Sequence, residues 1–279
     1  MIPANDYAFL QQLLQRHSGL SLSAGKEYLI ESRLSPVAAS LGYADLAALV
    51  KALRVSPRSA EVKAVCEAMT TNESLFFRDG TPFEVLRERI LPELARARQH
   101  SRRLRIWCAA ASTGQEPYSV AMTVAAHPLL AGWQVEIVGT DYSAAALQRA
   151  REGVYSHFEV QRGLPIQMLM KHFAKEGDDW RISPALRRSV TFREANLLES
   201  FVHYGTFDLV LCRNVLIYFD LETKRDVLDR MRRHVAPDGY LFLGGSETVI
   251  GVSDGFERVP GALTSVYRPI AAQSLSRAS

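Results

Sequence analysis

Apolar residues in the first quarter of the chain recur at the spacing of amphipathic helices. Leu10 begins a repeat of apolar residues three and four positions apart, which is typical of helices with one buried face. Asp45 is a candidate N-cap, and Ser56 before Pro57 is typical of the start of a further helix. The pattern therefore predicts a helical bundle over residues 1–70. Its other apolar positions are Leu13, Leu14, Ile30, Leu34, Val37, Leu41, Leu46, Leu49, Val50, Leu53, Val62, Val65, Cys66 and Met69.

A polar cluster followed by two adjacent phenylalanines interrupts the helical pattern directly after the bundle. Two interpretations of this cluster stay open. Either Asn72 or Ser74 is the N-cap of a helix, or the segment is a lid that offers Asn72, Ser74 and Arg78 to a ligand. A helix is expected over 82–98, so we treat residues 71–100 as a linker with a helix.

The remaining chain, residues 101–279, alternates short apolar runs with helical periodicity. This alternation predicts a parallel sheet with helices on both faces. Strands are expected at 104–108, 135–140, 190–193, 207–212, 240–243 and 264–267. Helices are expected at 115–126, 143–150 and 222–235, and the motif Pro237-Asp238-Gly239 is expected to stop the last one.

Residues 153–188 do not fit the alternation. They contain one short helix, expected at 166–173, a polar turn at 175–179, and short β-like runs. We interpret this stretch as a small subdomain inserted between the second helix and the third strand of the sheet.

The first strand leads through a loop of small residues into a helix, which is how α/β proteins commonly build a ligand site. The loop reads AAASTGQE over residues 109–116. It contains neither the dinucleotide fingerprint G-x-G-x-x-G nor the Lys-Ser/Thr ending of a P-loop. Because Glu116 stands at the helix start with no nearby Lys or Arg in the loop, a ligand with a cationic group is favoured over a polyphosphate.

Composition restricts the class of protein further. The chain has 279 residues, 47% of them hydrophobic, and a net charge of +3, so a nucleic-acid partner is not expected. Its three cysteines, Cys66, Cys108 and Cys212, form no metal or disulfide pattern, which is typical of buried, reduced thiols in the cytosol. Neither a signal peptide nor a long apolar span is apparent, so we expect a cytoplasmic protein without membrane insertion.

Polar residues follow four of the predicted strands, at the edge where open α/β sheets bind ligands. Glu116 suits an ammonium group, and Asp141 suits a ribose diol. Asn196 follows the third strand, while Asn214 and Tyr218 follow the fourth. An aromatic ring attracts a sulfonium through its negative face. A nucleoside with an amino-acid group and a sulfonium is S-adenosylmethionine.

Three segments together resemble the CheR family, the chemotaxis-receptor glutamate O-methyltransferases. These segments are TTNESLFFR (70–78), AAASTGQEPYS (109–119) and CRNVLIYFD (212–220), and the resemblance covers nearly the whole chain. It implies a Rossmann-like α/β sheet of the S-adenosylmethionine-dependent methyltransferase type, an N-terminal all-α domain and an inserted small β-subdomain.

The resemblance also implies which residues form the site. Arg78 and Tyr218 would be catalytic, with Tyr218 close to the transferred methyl group. Arg78 would hold either the incoming carboxylate or that of the cofactor, and the sequence does not choose. The residues implied to bind the cofactor are Asn72, Ser74, Arg78, Glu116, Asp141, Asn196, Leu197, Arg213 and Asn214.

The implied reaction transfers a methyl group from S-adenosylmethionine to glutamate carboxylates on the cytoplasmic helices of a chemoreceptor, leaving S-adenosylhomocysteine. A carboxylate is already ionised at neutral pH, so no general base is needed. Relatives that bind a C-terminal receptor pentapeptide have a longer loop than 175–179. We therefore expect a monomer that works without that tether, and leave room for a regulatory adaptor protein. The basic residues of the helical bundle, among them Arg33, Arg54 and Lys63, would meet the acidic receptor helices.

Alternatives from other classes stay open. One is a methyltransferase that acts on RNA or a small molecule. Another is a non-catalytic module that binds the cofactor as a sensor. Cys108 and Cys212 would form a redox pair if they were neighbours on one face of the sheet, although two buried thiols are the simpler interpretation.

Overall fold

The structure is a computed structural model that describes residues 2–270, so the last nine residues of the predicted third domain lie outside the described residues. Four helices form the N-terminal bundle around a buried core that includes Leu10, Leu14 and Ile30. The helices are α1 (Ala4–Ser18), α2 (Glu27–Ser40), α3 (Leu46–Val55) and α4 (Ser59–Met69). Asp45 caps α3, as predicted, by accepting the N–H of Ala48 at 2.7 Å. The expected cap at Ser56 is wrong, because α4 begins at Ser59 after Arg58.

The segment after α4 is neither helix nor strand between residues 71 and 75. Phe76 is fully buried, with ring centroids 4.9 Å from Tyr155 and 5.5 Å from Phe173. Asn72 and Ser74 cap no helix, so the capping interpretation of this segment is wrong. The helix expected over 82–98 consists of α5 (Thr81–Val85), a π-helical turn (Leu86–Ile90) and α6 (Leu91–Ala97).

A seven-stranded sheet forms the centre of the rest of the chain. Its strands are β1 (Arg103–Ala109), β2 (Gln134–Asp141), β6 (Val190–Glu194), β7 (Phe207–Cys212), β8 (Val235–Leu243), β9 (Phe256–Arg258) and β10 (Val266–Pro269). The order is β6-β2-β1-β7-β8-β10-β9. The first five strands are parallel, β10 pairs antiparallel with β8, and β9 pairs antiparallel with β10. The main helices beside it are α7 (Gln115–Ala125), α8 (Ala144–Glu152) and α12 (Leu221–Arg232).

Two details of the sheet differ from the prediction. Strand β9 was not expected, because only three residues pair and they carry no alternating pattern. The helix expected over 222–235 ends at Arg232, and residues Pro237 to Gly239 lie inside β8 rather than in a helix stop. The register between β7 and β8 shifts between Phe207 and Leu209, which accommodates the proline within the strand.

The inserted segment folds as a small three-stranded antiparallel sheet with short helices, as the fold-class prediction states. Its strands are β3 (Val154–Ser156), β4 (Phe173–Glu176) and β5 (Asp179–Ile182), in the order β3-β5-β4. Its helices are α9 (His157–Gln161), α10 (Ile166–His172) and α11 (Pro184–Ser189). The predicted turn at 175–179 is the tight connection between β4 and β5.

The main sheet separates two hydrophobic cores, one on each face. Cys108 packs in the core with Leu211, whereas Cys212 packs in the opposite core with Ala109. Burial raises the pKa of both thiols, and all three cysteines are free and buried. The redox-pair alternative is therefore wrong. None of the helices within residues 2–270 is long and apolar enough to cross a membrane.

Candidate functional site

A cavity that is partly open to solvent lies at the carboxyl edge of the sheet. Strand order reverses at β1, and this switch point is where open α/β sheets form ligand crevices. All ten residues predicted for the site line the cavity: Asn72, Ser74, Arg78, Glu116, Asp141, Asn196, Leu197, Arg213, Asn214 and Tyr218. Their individual binding roles stay predictions.

The loop between β1 and α7 has the tight backbone that its small residues predict. Ala110 and Ser112 both have positive φ, and Gly114 has φ 96° immediately before α7. A Cβ on Gly114 would lie 2.9 Å from Cβ of Ala150 and 3.0 Å from the hydroxyl of Tyr155. Only glycine fits this position, and the resulting turn presents the N-terminus of α7 to the cavity.

Asp141, at the end of β2, is held by two backbone donors. Its Oδ2 accepts the N–H of Ser112 at 2.7 Å, and its Oδ1 accepts the N–H of Ser143 at 2.9 Å. Burial raises the pKa of this carboxyl, and the two N–H groups oppose that rise. Glu67 of α4 braces the same turn by accepting from the Ser143 hydroxyl at 2.8 Å and from the N–H of Ala145 at 2.9 Å.

Glu116 and Arg213 form a buried ion pair at the centre of the cavity. Nη1 of Arg213 lies 2.9 Å from Oε2 of Glu116, while Nη2 lies 2.8 Å from Asp79 and 3.0 Å from the carbonyl oxygen of Arg78. Burial raises the pKa of Glu116, and Arg213 opposes that rise. The loop sequence suggested that Glu116 has no cationic partner at the helix start. The structure shows that Arg213 is such a partner. Oε1 of Glu116 still accepts no hydrogen bond from the chain between residues 2 and 270.

Arg78 contrasts with Arg213. Its guanidinium donates one long hydrogen bond, 3.3 Å, to the carbonyl oxygen of Glu73 in its own segment. The side chain lines the cavity and is only partly buried. Arg78 therefore retains most of its donors for a ligand carboxylate.

The end of α1 forms a wall of the cavity that the sequence does not reveal. Ser18 and Leu20 line it, and the carbonyl oxygen of His17 accepts from Nδ2 of Asn196 at 2.7 Å. The carbonyl oxygen of Tyr218 accepts the N–H of Ser21 at 2.8 Å. These contacts join residues almost 200 positions apart, so no local pattern predicts them.

Glu247 is a buried residue beside the site that the sequence did not predict. Its buried carboxylate accepts backbone N–H groups from the loop after β7. Glu247 follows the fifth parallel strand, β8, at the same edge as the four recognised strand ends. The strand-end rule itself was thus the available signal.

Three basic residues of the expected docking face also contact groups of the protein itself. Arg33 donates to the carbonyl oxygens of Met69 and Thr70 at 2.9 and 3.0 Å. Arg54 pairs with Asp6 at 2.9 Å, and Lys63 pairs with Glu194. Arg54 remains exposed, and Arg33 and Lys63 are partly exposed, so the docking face expected on the bundle stays a prediction.

The carboxylates that line the cavity fit the polar groups of S-adenosylmethionine. Asp141 is fixed by N–H groups on one side, which leaves lone pairs for a ribose diol, and Glu116 keeps one oxygen for an ammonium group. Burial raises the pKa of Glu116, and the ammonium group would provide a cation that compensates for this burial.

Comparison with known proteins agrees with this site. Residues 72–264 match the family described as "CheR methyltransferase, SAM binding domain", and residues 5–70 match "CheR methyltransferase, all-alpha domain". Chemotaxis protein methyltransferase 1 of Pseudomonas aeruginosa is 42% identical over 94% of this chain and 97% of its own length. Chemotaxis protein methyltransferase Cher2 of Pseudomonas putida is 39% identical over 94% and 97%, and the chemotaxis protein methyltransferase of Escherichia coli is 35% identical over 85% and 82%. The chain belongs to the CheR methyltransferase family and has the family's S-adenosylmethionine-binding domain.

Proposed function

We propose that this chain transfers a methyl group from S-adenosylmethionine to glutamate carboxylates of chemoreceptors, forming methyl esters in sensory adaptation. The observation that carries the proposal is the convergence of all ten predicted residues on one cavity in a chain of the CheR family. The names of the similar proteins, chemotaxis protein methyltransferases, support the chemoreceptor as substrate.

In this proposal the cofactor lies along the edge of the sheet. Asp141 accepts from the ribose diol, Asn196 and Leu197 contact the adenine, and Oε1 of Glu116 accepts from the ammonium group. Arg213 holds Glu116 in place. Tyr218 lines the cavity, and its ring would favour the sulfonium as a neighbouring cation.

The receptor carboxylate attacks the methyl carbon, and the carbon–sulfur bond breaks to leave S-adenosylhomocysteine. No proton is transferred in this step, so the reaction needs no general base. Catalysis then depends on alignment and on removal of water from a weak nucleophile, and alignment contributes roughly 7–11 kcal/mol in well-oriented reactions. Arg78, with most of its donors free, holds a carboxylate of either the acceptor or the cofactor, and Tyr218 lies beside the methyl group.

The test is calorimetry with S-adenosylhomocysteine followed by transfer of radiolabelled methyl groups to a panel of receptor cytoplasmic fragments. We expect tight product binding and label that base treatment releases, as methyl esters require. Receptor fragments with the methylated Glu replaced by Gln are the control and should stay unlabelled. Label on RNA or on a small molecule alone, or product binding without transfer to any receptor, would contradict the proposal.

The oligomeric state, the domain boundaries and the receptor tether determine how the enzyme would meet its receptor. We propose a cytoplasmic monomer with domain boundaries near residues 70 and 100. We also propose that it works without a receptor tether, because the connection between β4 and β5 is a tight turn. A regulatory adaptor is compatible with this arrangement.

Salt tests the electrostatic part of this interaction. The basic helices of the bundle would meet acidic receptor helices, and exposed charges are screened beyond about 10 Å at 0.1 M salt. We expect the receptor KM to rise several-fold between 50 and 300 mM salt while the Kd of S-adenosylhomocysteine changes little. A receptor KM that is insensitive to salt would show that electrostatic attraction does not contribute to receptor binding.

A further inference from the structure

Glu247 gathers four backbone N–H groups onto one buried carboxylate. Its Oε2 accepts from Asn214 at 2.8 Å and from Gly244 at 2.6 Å, and its Oε1 accepts from Val215 at 2.9 Å and from Ile217 at 3.2 Å. The residue is 6% exposed. A carboxylate that accepts four main-chain donors fixes the backbone of every segment that supplies one.

Three of these donors belong to the loop after β7, which carries three of the predicted site residues, Arg213, Asn214 and Tyr218. Asn214 has φ 59°, a conformation that favours glycine and that asparagine tolerates. Leu216 to Tyr218 form a short 3-10 turn that follows directly. Both Asn214 and Tyr218 face the cavity, so the geometry of this loop decides where they lie relative to a bound cofactor.

The fourth donor belongs to the neighbouring strand end. Cys212 of β7 pairs with Leu243 of β8, so the residues that follow these strands start side by side. A Cβ on Gly244 would lie 2.7 Å from Oε2 of Glu247 and 2.9 Å from the amide nitrogen of Asn214. Glycine at 244 therefore allows the carboxylate to reach between the two strand ends.

We propose that Glu247 is a positioning residue for methyl transfer: it ties the loop after β7 to the end of β8 and so holds Asn214 and Tyr218 at the cavity. The residue itself does not line the cavity. This inference rests on the proposed function, because it assigns Glu247 a role in that same site.

A carboxylate suits this position better than an amide. Each oxygen of Glu247 accepts two N–H groups, whereas the amide nitrogen of glutamine has no lone pair and would face two donors. Glu247→Gln therefore leaves two buried N–H groups without an acceptor. Glu247→Asp keeps both oxygens on a shorter side chain. Glu222→Gln makes the same chemical change at an exposed residue of α12 and serves as the matched control.

The first measurement is kcat at saturating S-adenosylmethionine and receptor fragment, corrected for the folded fraction of each variant. We expect a fall of about 10- to 100-fold in Glu247→Gln, partial recovery in Glu247→Asp and wild-type turnover in Glu222→Gln; loss of one set of positioning contacts typically has this size. A corrected kcat of Glu247→Gln within twofold of wild type would overturn the proposal.

The second measurement is hydrogen exchange by mass spectrometry, which needs no substrate. In Glu247→Gln we expect faster exchange only in peptides that cover 213–219 and 243–248, where the four amides lie. Equal loss of protection across the whole sheet would overturn the positioning role, because Glu247 would then support the fold in general. If wild-type enzyme methylates no receptor fragment, the proposed function fails, and the exchange result still decides whether Glu247 holds the loop.

Discussion

Two walls of the cavity are built differently. The sheet wall consists of the residues that follow the parallel strands, with Asp141, Glu116 and Arg213 buried and hydrogen-bonded to protein groups. The linker wall consists of residues 70–78 and includes Arg78, which donates one long hydrogen bond within its own segment. The sheet wall is held by buried contacts, including those that Arg213 makes to the linker. In the linker wall, by contrast, Arg78 keeps most of its donors unpaired.

This difference matches the two things that the proposed reaction must do. Charged groups that stabilise a transition state are most effective when they are already in place, and the sheet wall provides such a frame for the cofactor. An acceptor side chain arrives on another protein, and a wall with unused donors is able to adjust to it. We therefore expect substitutions in the sheet wall to affect stability and substitutions in the linker wall to affect turnover.

Arg213→Ala tests the sheet wall and has the largest expected effect. The change leaves the buried Glu116 carboxylate without its cation, and breaking a buried pair costs about 3–5 kcal/mol. Urea unfolding should report that loss of stability. The double variant Glu116→Gln/Arg213→Met removes both charges and should recover part of it. If Arg213→Ala unfolds at the wild-type midpoint, the sheet wall is not the fixed frame described above.

Arg78→Ala tests the linker wall. We expect methyl transfer to fall about 100-fold, since loss of one donor to a reacting carboxylate has this order of effect. Stability in urea should change by less than about 0.5 kcal/mol, because a partly exposed residue with one long hydrogen bond is removed. A parallel rise in the Kd of S-adenosylhomocysteine would assign Arg78 to the cofactor carboxylate, and an unchanged Kd would assign it to the acceptor.

The matched control for this variant is Arg87→Ala, which removes an exposed arginine of the π-helical turn. It should methylate receptor at the wild-type rate. Near wild-type transfer by Arg78→Ala itself would remove Arg78 from the catalytic site.

The pH dependence of cofactor binding tests the two carboxylates of the sheet wall. Burial raises the pKa of Asp141 and Glu116, so these groups become protonated at a higher pH than ordinary carboxyls with pKa near 4. Protonation removes an acceptor, so the affinity for S-adenosylhomocysteine should fall as the pH is lowered from 7 towards 5. The raised pKa values mean that the folded state binds these protons more tightly than the unfolded state. Protonation of the two groups should therefore not unfold the protein in this window. Calorimetry that shows constant affinity from pH 7.5 to 5 would contradict the assignment of both carboxylates.

Arg33→Ala has the smallest expected effect. Arg33 holds the start of the linker wall through the carbonyl oxygens of Met69 and Thr70. We expect a loss of about 1 kcal/mol in urea unfolding and a rise of about threefold to tenfold in receptor KM. Lys51→Ala, a change at an exposed residue of α3, is the control. A change in cofactor affinity without a change in receptor KM would show that this contact supports the sheet wall instead.

The sheet edge was largely predictable from the sequence because local patterns determine it. Apolar runs predicted six strands, and each overlaps a strand of the main sheet. The polar residues Glu116, Asp141, Asn196 and Asn214 meet at one edge, as the geometry of parallel strands requires. The insertion was recognised because it broke the alternation, although its identification as a β-subdomain required the resemblance to the family.

What the sequence did not reveal depends on contacts between distant segments. The wall formed by Ser18 and Leu20, and the tie from His17 to Asn196, join the first helix to strand ends much later in the chain. The partner of Glu116 was missed for the same reason, since Arg213 lies 97 residues away. Glu247 was missed although the strand before it was predicted, because a Gly-Gly-Ser-Glu turn resembles an ordinary loop.

The most direct test of the central claim is a crystal structure of this protein with S-adenosylhomocysteine. We predict that the ribose will contact Asp141, the ammonium group will contact Glu116 and the adenine will lie at Asn196 and Leu197, with the sulfur towards Tyr218. Product bound outside this cavity, or turned so that its sulfur lies away from both Arg78 and Tyr218, would contradict the account.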